Sequence, residues 1–299
     1  MNSQVSTASG PAFAEHRVSR DGGSIYVRDY AGNGPAFVVM HGFPDNLHIY
    51  DDLIPFLVEG GRRVVAFDFL GFGDSDKPEG GKYSFAQQVG DLHAVVKALD
   101  LGKVVPVAHD SSGPAALNFA LDYPDHVASV VVLNALYADS PTVRYPEFIE
   151  LFATPNLKAL TQAFLRSPEQ FAFILQFQRA AFQEMLSDDH KERYASFLGP
   201  IIDENFRRKP SSGPAFGQMT GGLFAEAAHN VSRLGELEAL DIPVQLIWGK
   251  RDPYLNVGVA EHIKAHLKRG SIDLLDAGHW VQIDLARDVA RLMLDGPTT

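Results

Sequence analysis

The residue type and spacing with the most chemistry in them lie at Val107-Ala-His-Asp110-Ser-Ser-Gly-Pro114. An apolar run of strand type leads into this segment, and a helical pattern, Pro114–Tyr123, follows at once. A tight strand-to-helix turn brings its two arms nearly into contact, so small residues must stand two before and two after its tip. Around Asp110 those places hold Ala108 and Ser112. A tip at Ser111 would place His109 in one arm, and a tip at Ser112 would place Asp110 and Pro114 there. No Gly-x-Ser-x-Gly occurs in the chain, so the spacing predicts a carboxylate at the tip rather than a hydroxyl. The helix that follows aims N–H groups and a positive dipole end at that carboxylate, which favours its ionised form. An ionised carboxylate can attack an electrophilic carbon and form an ester, dividing one hard step into two easier ones. The alternative reading of an aspartate here is an ordinary helix N-cap.

Three further segments supply what such an ester would need. His41-Gly-Phe-Pro44 follows the apolar run Ala36–Met40. A loop in that position presents a backbone N–H, here from Phe43, and the N–H of Ser111 would complete an oxyanion hole. One such donor is worth roughly 3 kcal/mol in ester hydrolysis. The same four residues also suit a Gly-Pro turn without a catalytic role. His279, in Ala277-Gly-His279-Trp-Val-Gln282, fits a general base that activates water, oriented by Asp252 in Trp248-Gly-Lys-Arg-Asp252. Asp139 is the rival for the orienting acid. Nucleophile, acid and histidine follow one another in the order this class of sheet uses.

The elements that must position these residues alternate strand and helix, which predicts a parallel sheet with helices on its faces. Strand patterns occur at Ser24–Tyr30, Ala36–Met40, Arg63–Phe69, Lys103–Ala108, Val127–Leu133, Val244–Trp248 and Ser271–Leu275. Ser24–Tyr30 alternates apolar and polar residues, as a strand near a sheet edge does. Helical patterns cover Leu47–Leu57, Ser84–Leu99, Pro114–Tyr123, Val257–Leu267 and Val281–Leu294. About a hundred residues between Asn134 and Val244 contain no clear strand and read as helices, Glu169–Leu186 among them. This is too long for a plain loop. The expected division is a disordered tail over 1–14, a core over 15–136 and 235–299, and a helical lid over 137–234. A lid at that point would cover the carboxyl ends of the strands, where open α/β sheets bind ligands.

Composition narrows the classes. Hydrophobic residues make up 45% of the 299 and charged residues 21%, ordinary globular usage. A net charge of −11 repels phosphate backbones and anionic lipid, so nucleic-acid and membrane partners are not expected. No apolar run is long enough to span a bilayer, and the expected location is the cytoplasm. The chain has no cysteine, hence no disulfide, thiolate metal site or thiol nucleophile. His262 and His266 stand four apart in a helical pattern, but no third ligand accompanies them, so they read as exposed helix residues and no metal is expected. Gly71-Phe-Gly73 is not a dinucleotide fingerprint, and no cofactor is expected. The partners foreseen are a small substrate and water, with the chain a monomer or homodimer. Phe148, Phe152, Phe164, Phe171, Phe173, Phe177 and Phe182 make the lid aromatic, which suits an apolar or aromatic substrate, although many of them must pack the lid.

Taken together, His41-Gly-Phe-Pro-Asp45, Asp68-Phe-Leu-Gly-Phe-Gly-Asp-Ser-Asp-Lys-Pro78, His109-Asp-Ser-Ser-Gly-Pro114 and Gly278-His-Trp-Val-Gln282 resemble the α/β-hydrolase branch that holds epoxide hydrolases and haloalkane dehalogenases. The resemblance covers roughly 15–136 and 235–296 and is weak in the lid. It implies an α/β-hydrolase fold, a mostly parallel eight-stranded sheet with a helical lid inserted after strand 6, and Asp110, Asp252 and His279 as the catalytic set. Dehalogenases of this branch hold the halide with a Trp just after the nucleophile and an Asn or Trp elsewhere; here those places carry Ser111 and Phe43. The resemblance thus points first to an epoxide hydrolase, then to a haloalkane or haloacid dehalogenase, then to an atypical hydrolase or a non-catalytic ligand-binding protein of the same fold. Epoxide hydrolases protonate the ring oxygen with lid tyrosines, and the lid segment offers Tyr137, Tyr145 and Tyr194 for that role.

Overall fold

The computed structural model describes residues 10–296 apart from 21, 185 and 187. Eight strands form one sheet: β1 (Ala14–Arg20), β2 (Gly23–Tyr30), β3 (Asn33–Met40), β4 (Arg62–Phe67), β5 (Val105–Asp110), β6 (Val130–Ala135), β7 (Val244–Gly249) and β8 (Gly270–Leu275). Their spatial order is β1-β2-β4-β3-β5-β6-β7-β8. The pairs β1/β2 and β2/β4 are antiparallel and all others parallel, so the sheet is mostly parallel as expected. β4, β3, β5 and β6 occupy the centre, and their largely apolar runs are buried because helices cover both faces.

The sequence pattern missed β1. Only Val18 of its seven residues is buried, so no apolar alternation marks it; pairing with β2 from Ala14↔Asp29 to Arg20↔Gly23 holds it. Of the expected tail over 1–14, residues 1–9 lie outside the described ones. Its last residues are packed instead: the Phe13 ring lies 5.2 Å from that of Tyr30, and Ala14 opens β1.

The helices of the core are α1 (Ile54–Glu59), α2 (Phe85–Ala98) and α3 (Gly113–Asp122). The single helix expected over Leu47–Leu57 is divided. A 3₁₀ turn, Leu47–Tyr50, is capped by Asn46, and α1 begins afresh with Pro55 in its first turn, where a missing N–H costs nothing. Ser84 caps α2 by accepting from the Gln87 N–H at 3.1 Å.

Between β6 and β7 the described residues form helices and no strand: α4 (Glu147–Ala153), α5 (Lys158–Leu165), α6 (Pro168–Gln183), α7 (Asp188–Arg193), α8 (Gly199–Arg207), α9 (Gly213–Gly221), α10 (Leu223–Ser232) and α11 (Leu234–Ala239). An aromatic cluster ties them together, with Phe152, Phe171 and Phe206 all within 6 Å of Phe216. Such pairs add about 0.5–1.5 kcal/mol each beyond the area they bury.

The chain closes with α12 (Val257–Ala265), α13 (Val281–Asp284) and α14 (Ala286–Asp295). The expected helix over Val281–Leu294 breaks at Leu285, whose φ of −136° is not helical. His262 and His266 are half-buried rather than exposed; their rings meet, and His266 pairs with Glu238 at 2.7 Å. Among the described residues no helix is long and apolar enough to cross a membrane.

Candidate active site

Four loops at the carboxyl ends of parallel strands converge, following β3, β5, β7 and the edge strand β8. Asp110 ends β5 with φ of 54°, a left-handed conformation that a non-glycine residue adopts at some cost. The tightness is visible next door. A Cβ on Gly42 would collide with the Cβ and Oδ2 of Asp110, so only glycine lets the β3 loop approach this closely. Ser112, two residues beyond the tip, is folded inward: its hydroxyl donates to the carbonyl of His109 at 2.8 Å or of Met40 at 3.1 Å.

The Asp110 carboxylate is divided between two environments. Its Oδ2 accepts the Phe43 N–H at 3.0 Å, and the Ser111 N–H also reaches the carboxylate. Its Oδ1 lies 3.7 Å from His279 Nε2, with 22% of the side chain accessible. Burial pushes this carboxyl up from its ordinary range, against the downward pull of His279 and of the two N–H groups. The expected easy ionisation is not met: the donors favour the charged form, but burial opposes it and is the larger effect.

His279 stands opposite. Its Nδ1 is 2.7 Å from Asp252 Oδ2, which leaves Nε2 toward Asp110. Burial pulls the imidazole down, but the charge and hydrogen bond of Asp252, with the charges of Asp110 and Asp45, outweigh it and raise its pKa. Asp252 is held below the usual carboxylate range: burial opposes ionisation, and His279 with N–H donors that include Tyr254 and Asn134 overcomes it; three N–H donors reach the carboxylate. Two of those donors are the backbone N–H groups of Tyr254 and Leu255, at 2.9 and 3.1 Å. The third, Asn134 Nδ2 at 3.0 Å, was not foreseen. A register shift in the β5/β6 ladder, with Asn134 at φ of 33°, frees this residue to donate to Asp252 and accept the Gly249 N–H. Asp139, the rival acid, instead accepts the hydroxyl of Tyr145 at 2.8 Å.

Asp110 and His279 open into a cavity walled by the insertion, with Phe148, Leu175 and Phe182 on its apolar side. Of the aromatics expected to shape it, only Phe148 and Phe182 line it. Phe152 and Phe171 belong to the Phe216 cluster, whereas Phe173 and Phe177 face outward, 69% and 52% exposed. The three candidate tyrosines separate as well. Tyr145 lines the cavity. Tyr137 is fully buried elsewhere and donates to Asn118 Oδ1 at 3.1 Å, because it follows β6 directly and packs down onto α3. Tyr194 lies behind Trp280, its hydroxyl accepting the Trp280 N–H at 3.4 Å. A tyrosine outside the insertion, Tyr254, lines the cavity too. Its hydroxyl donates to Glu147 at 2.7 Å and accepts from the buried Gln178 amide at 2.7 Å. It was not among the expected tyrosines, although it stands two residues past Asp252.

A family model described as alpha/beta hydrolase fold matches residues 35–285. The chain is 26% identical over 307 residues to the bifunctional epoxide hydrolase 2 of Sus scrofa, a match covering 88% of this chain and 51% of that protein. It is 37% identical over 109 residues to a fluoroacetate dehalogenase of Burkholderia sp, covering 35% of this chain and 36% of the other. The chain thus spans about half the length of the curated epoxide hydrolases it matches first. In fold it is similar to the 2-hydroxy-6-oxo-6-phenylhexa-2,4-dienoate hydrolase of Rhodococcus sp. strain RHA1, with a TM-score of 0.76 at 19% identity over 95% of this chain and 98% of the other.

Proposed function

Because the chain belongs to the α/β-hydrolase family, we propose that it is a hydrolase working through a covalent ester on Asp110, and that it opens an apolar epoxide to a vicinal diol. The observation that carries this reading is the divided carboxylate: Oδ2 faces the Phe43 N–H while Oδ1 stands on the cavity side near His279. Oδ1 attacks a ring carbon, the C–O bond of the epoxide breaks, and the ring oxygen takes a proton from a tyrosine hydroxyl. Tyr145 is the lid acid in this scheme, with Tyr254 as the second cavity hydroxyl; both are rotors able to turn from Asp139 and Glu147 to substrate.

His279 Nε2 then removes a proton from water, whose oxygen attacks the Asp110 carboxyl carbon. The oxyanion that forms is met by the N–H groups of Phe43 and Ser111. Collapse expels the second diol oxygen, which takes the proton from His279. The remaining water proton leaves the Asp110 carboxyl and restores the tyrosine through solvent. The helices over 137–234 act as the lid that keeps this ester from bulk water.

Halide displacement is the second reading, supported by the match to a dehalogenase. It is disfavoured by the indoles. Trp280 Nε1 donates to Asp45 at 2.9 Å and Trp248 Nε1 to the Leu255 carbonyl at 2.6 Å, so neither is free to solvate a departing halide. The test is His279→Gln incubated with a panel of aryl and alkyl epoxides. The peptide containing Asp110 should gain the mass of the intact epoxide, and Asp110→Asn should gain none. Halide release from haloalkanes or haloacids, with no adduct from any epoxide, would overturn the substrate class.

A further inference from the structure

We propose that Asn205, on α8 of the helical insertion, is a positioning residue for the oxyanion hole. It is 1% exposed, and every bonding position of its amide is used. Its Nδ2 donates to the carbonyls of Pro44 and Asp45, both at 2.7 Å. Its Oδ1 accepts the Gly73 N–H at 3.1 Å and the Asn46 amide at 3.4 Å. One side chain from the insertion therefore ties together the loop after β3, the loop after β4 and α8.

What it fixes is the segment that carries the Phe43 donor. Pro44 and Asp45 are the next two residues, in a buried loop, and among the described residues no other side chain donates to their carbonyls. A buried carbonyl that loses its donor costs about 1–3 kcal/mol, so the loop would shift to find another partner. From the opposite side the core holds both loops: Asp68 accepts the Leu47 N–H, after β3, at 2.8 Å and the Asp74 N–H, after β4, at 2.8 Å. The Phe43 N–H is thus set by a clamp with one jaw in the sheet domain and one in the insertion. On this reading the insertion completes the catalytic machinery as well as enclosing substrate.

The inference rests on the Asp110 ester, and its test separates the two chemical steps. Outright loss of an oxyanion donor costs about 10²–10³ in rate, and loosening the loop that carries one should cost less. Asn205→Asp keeps the acceptor for Gly73 and turns an oxygen toward the two carbonyls in place of their donor. Rapid quenching of an epoxide turnover should show ester hydrolysis slowed about tenfold, with ester formation nearly unchanged, so that ester accumulates at steady state. Asn205→Ala, which removes the amide without adding charge, should behave alike and gives the reading if Asn205→Asp does not fold. Formation and hydrolysis falling together, or neither changing, would overturn the positioning role. Failure of His279→Gln to trap any ester would overturn the Asp110 mechanism itself, a separate outcome.

Discussion

The sheet and the insertion contribute to one cavity but are held to different standards by physics. On the sheet side, Asp110 at φ of 54° tolerates only glycine at 42 and small residues in the arms of its turn. On the insertion side, Phe148, Leu175 and Phe182 need only be apolar and of suitable volume. The difference teaches where substitutions should alter chemistry and where they should alter fit. It also marks two places where the insertion departs from that rule, Tyr145 and Asn205.

The largest effect should separate the two acids. Asp252→Asn should lower turnover by about 10³–10⁴ with ester accumulating, because the amide holds the imidazole in the wrong tautomer. Asp139→Asn should remain within about tenfold of wild type, since its carboxylate accepts the Tyr145 hydroxyl and not the His279 imidazole. Steady-state kinetics with peptide mass analysis reads both, and equal losses would erase the distinction drawn between these aspartates.

Next comes Gly42→Ala. Its Cβ must displace Asp110, and a misplacement of about 1 Å costs about 10²-fold in rate. Unchanged kcat would show that the close approach of the two loops is not required.

Tyr145→Phe should slow ester formation from epoxides by about 10²-fold and leave ester hydrolysis alone. Tyr137→Phe should leave turnover unchanged and lower stability by about 1 kcal/mol, read as a lower Tm, because the Asn118 oxygen loses its buried donor. If Tyr137→Phe proved the slower enzyme, the assignment of cavity and core tyrosines would be reversed.

The smallest effect is in pH. A protonated imidazole cannot take a proton from water, so ester hydrolysis should rise with pH through the pKa of His279. Asp252 holds that pKa above the ordinary histidine value. Once Asp110 is an ester its negative charge is gone, so the midpoint for hydrolysis should lie below that of the free enzyme. A hydrolysis rate that falls as pH rises through this range would contradict the base role.

The same contrast explains what was legible in the sequence. That Asp110, His279, Asp252, Phe43 and Ser111 would be brought together could be read because tight turns and strand ends restrict residue type at fixed spacing. Seven of the eight strands followed from apolar runs or alternation; the exception is β1, which is held by backbone pairing and shows one buried residue in seven. In the insertion, helical periodicity says which residues are buried and nothing about what they face. Tyr137, Tyr145 and Tyr194 were indistinguishable there, although one lines the cavity, one packs on α3 and one lies behind Trp280. Asn134 and Asn205 were illegible for a related reason. Each acts across more than 100 residues of chain, on Asp252 and on the Pro44 loop, and no local spacing records such a contact.

The central claim is that a side-chain carboxylate oxygen of Asp110 ends up in the product. The direct measurement is a single turnover of epoxide in heavy-oxygen water with enzyme in excess. The account predicts a first diol carrying only light oxygen, with the heavy atom left on the peptide containing Asp110. Heavy oxygen in the diol of that first turnover would contradict it.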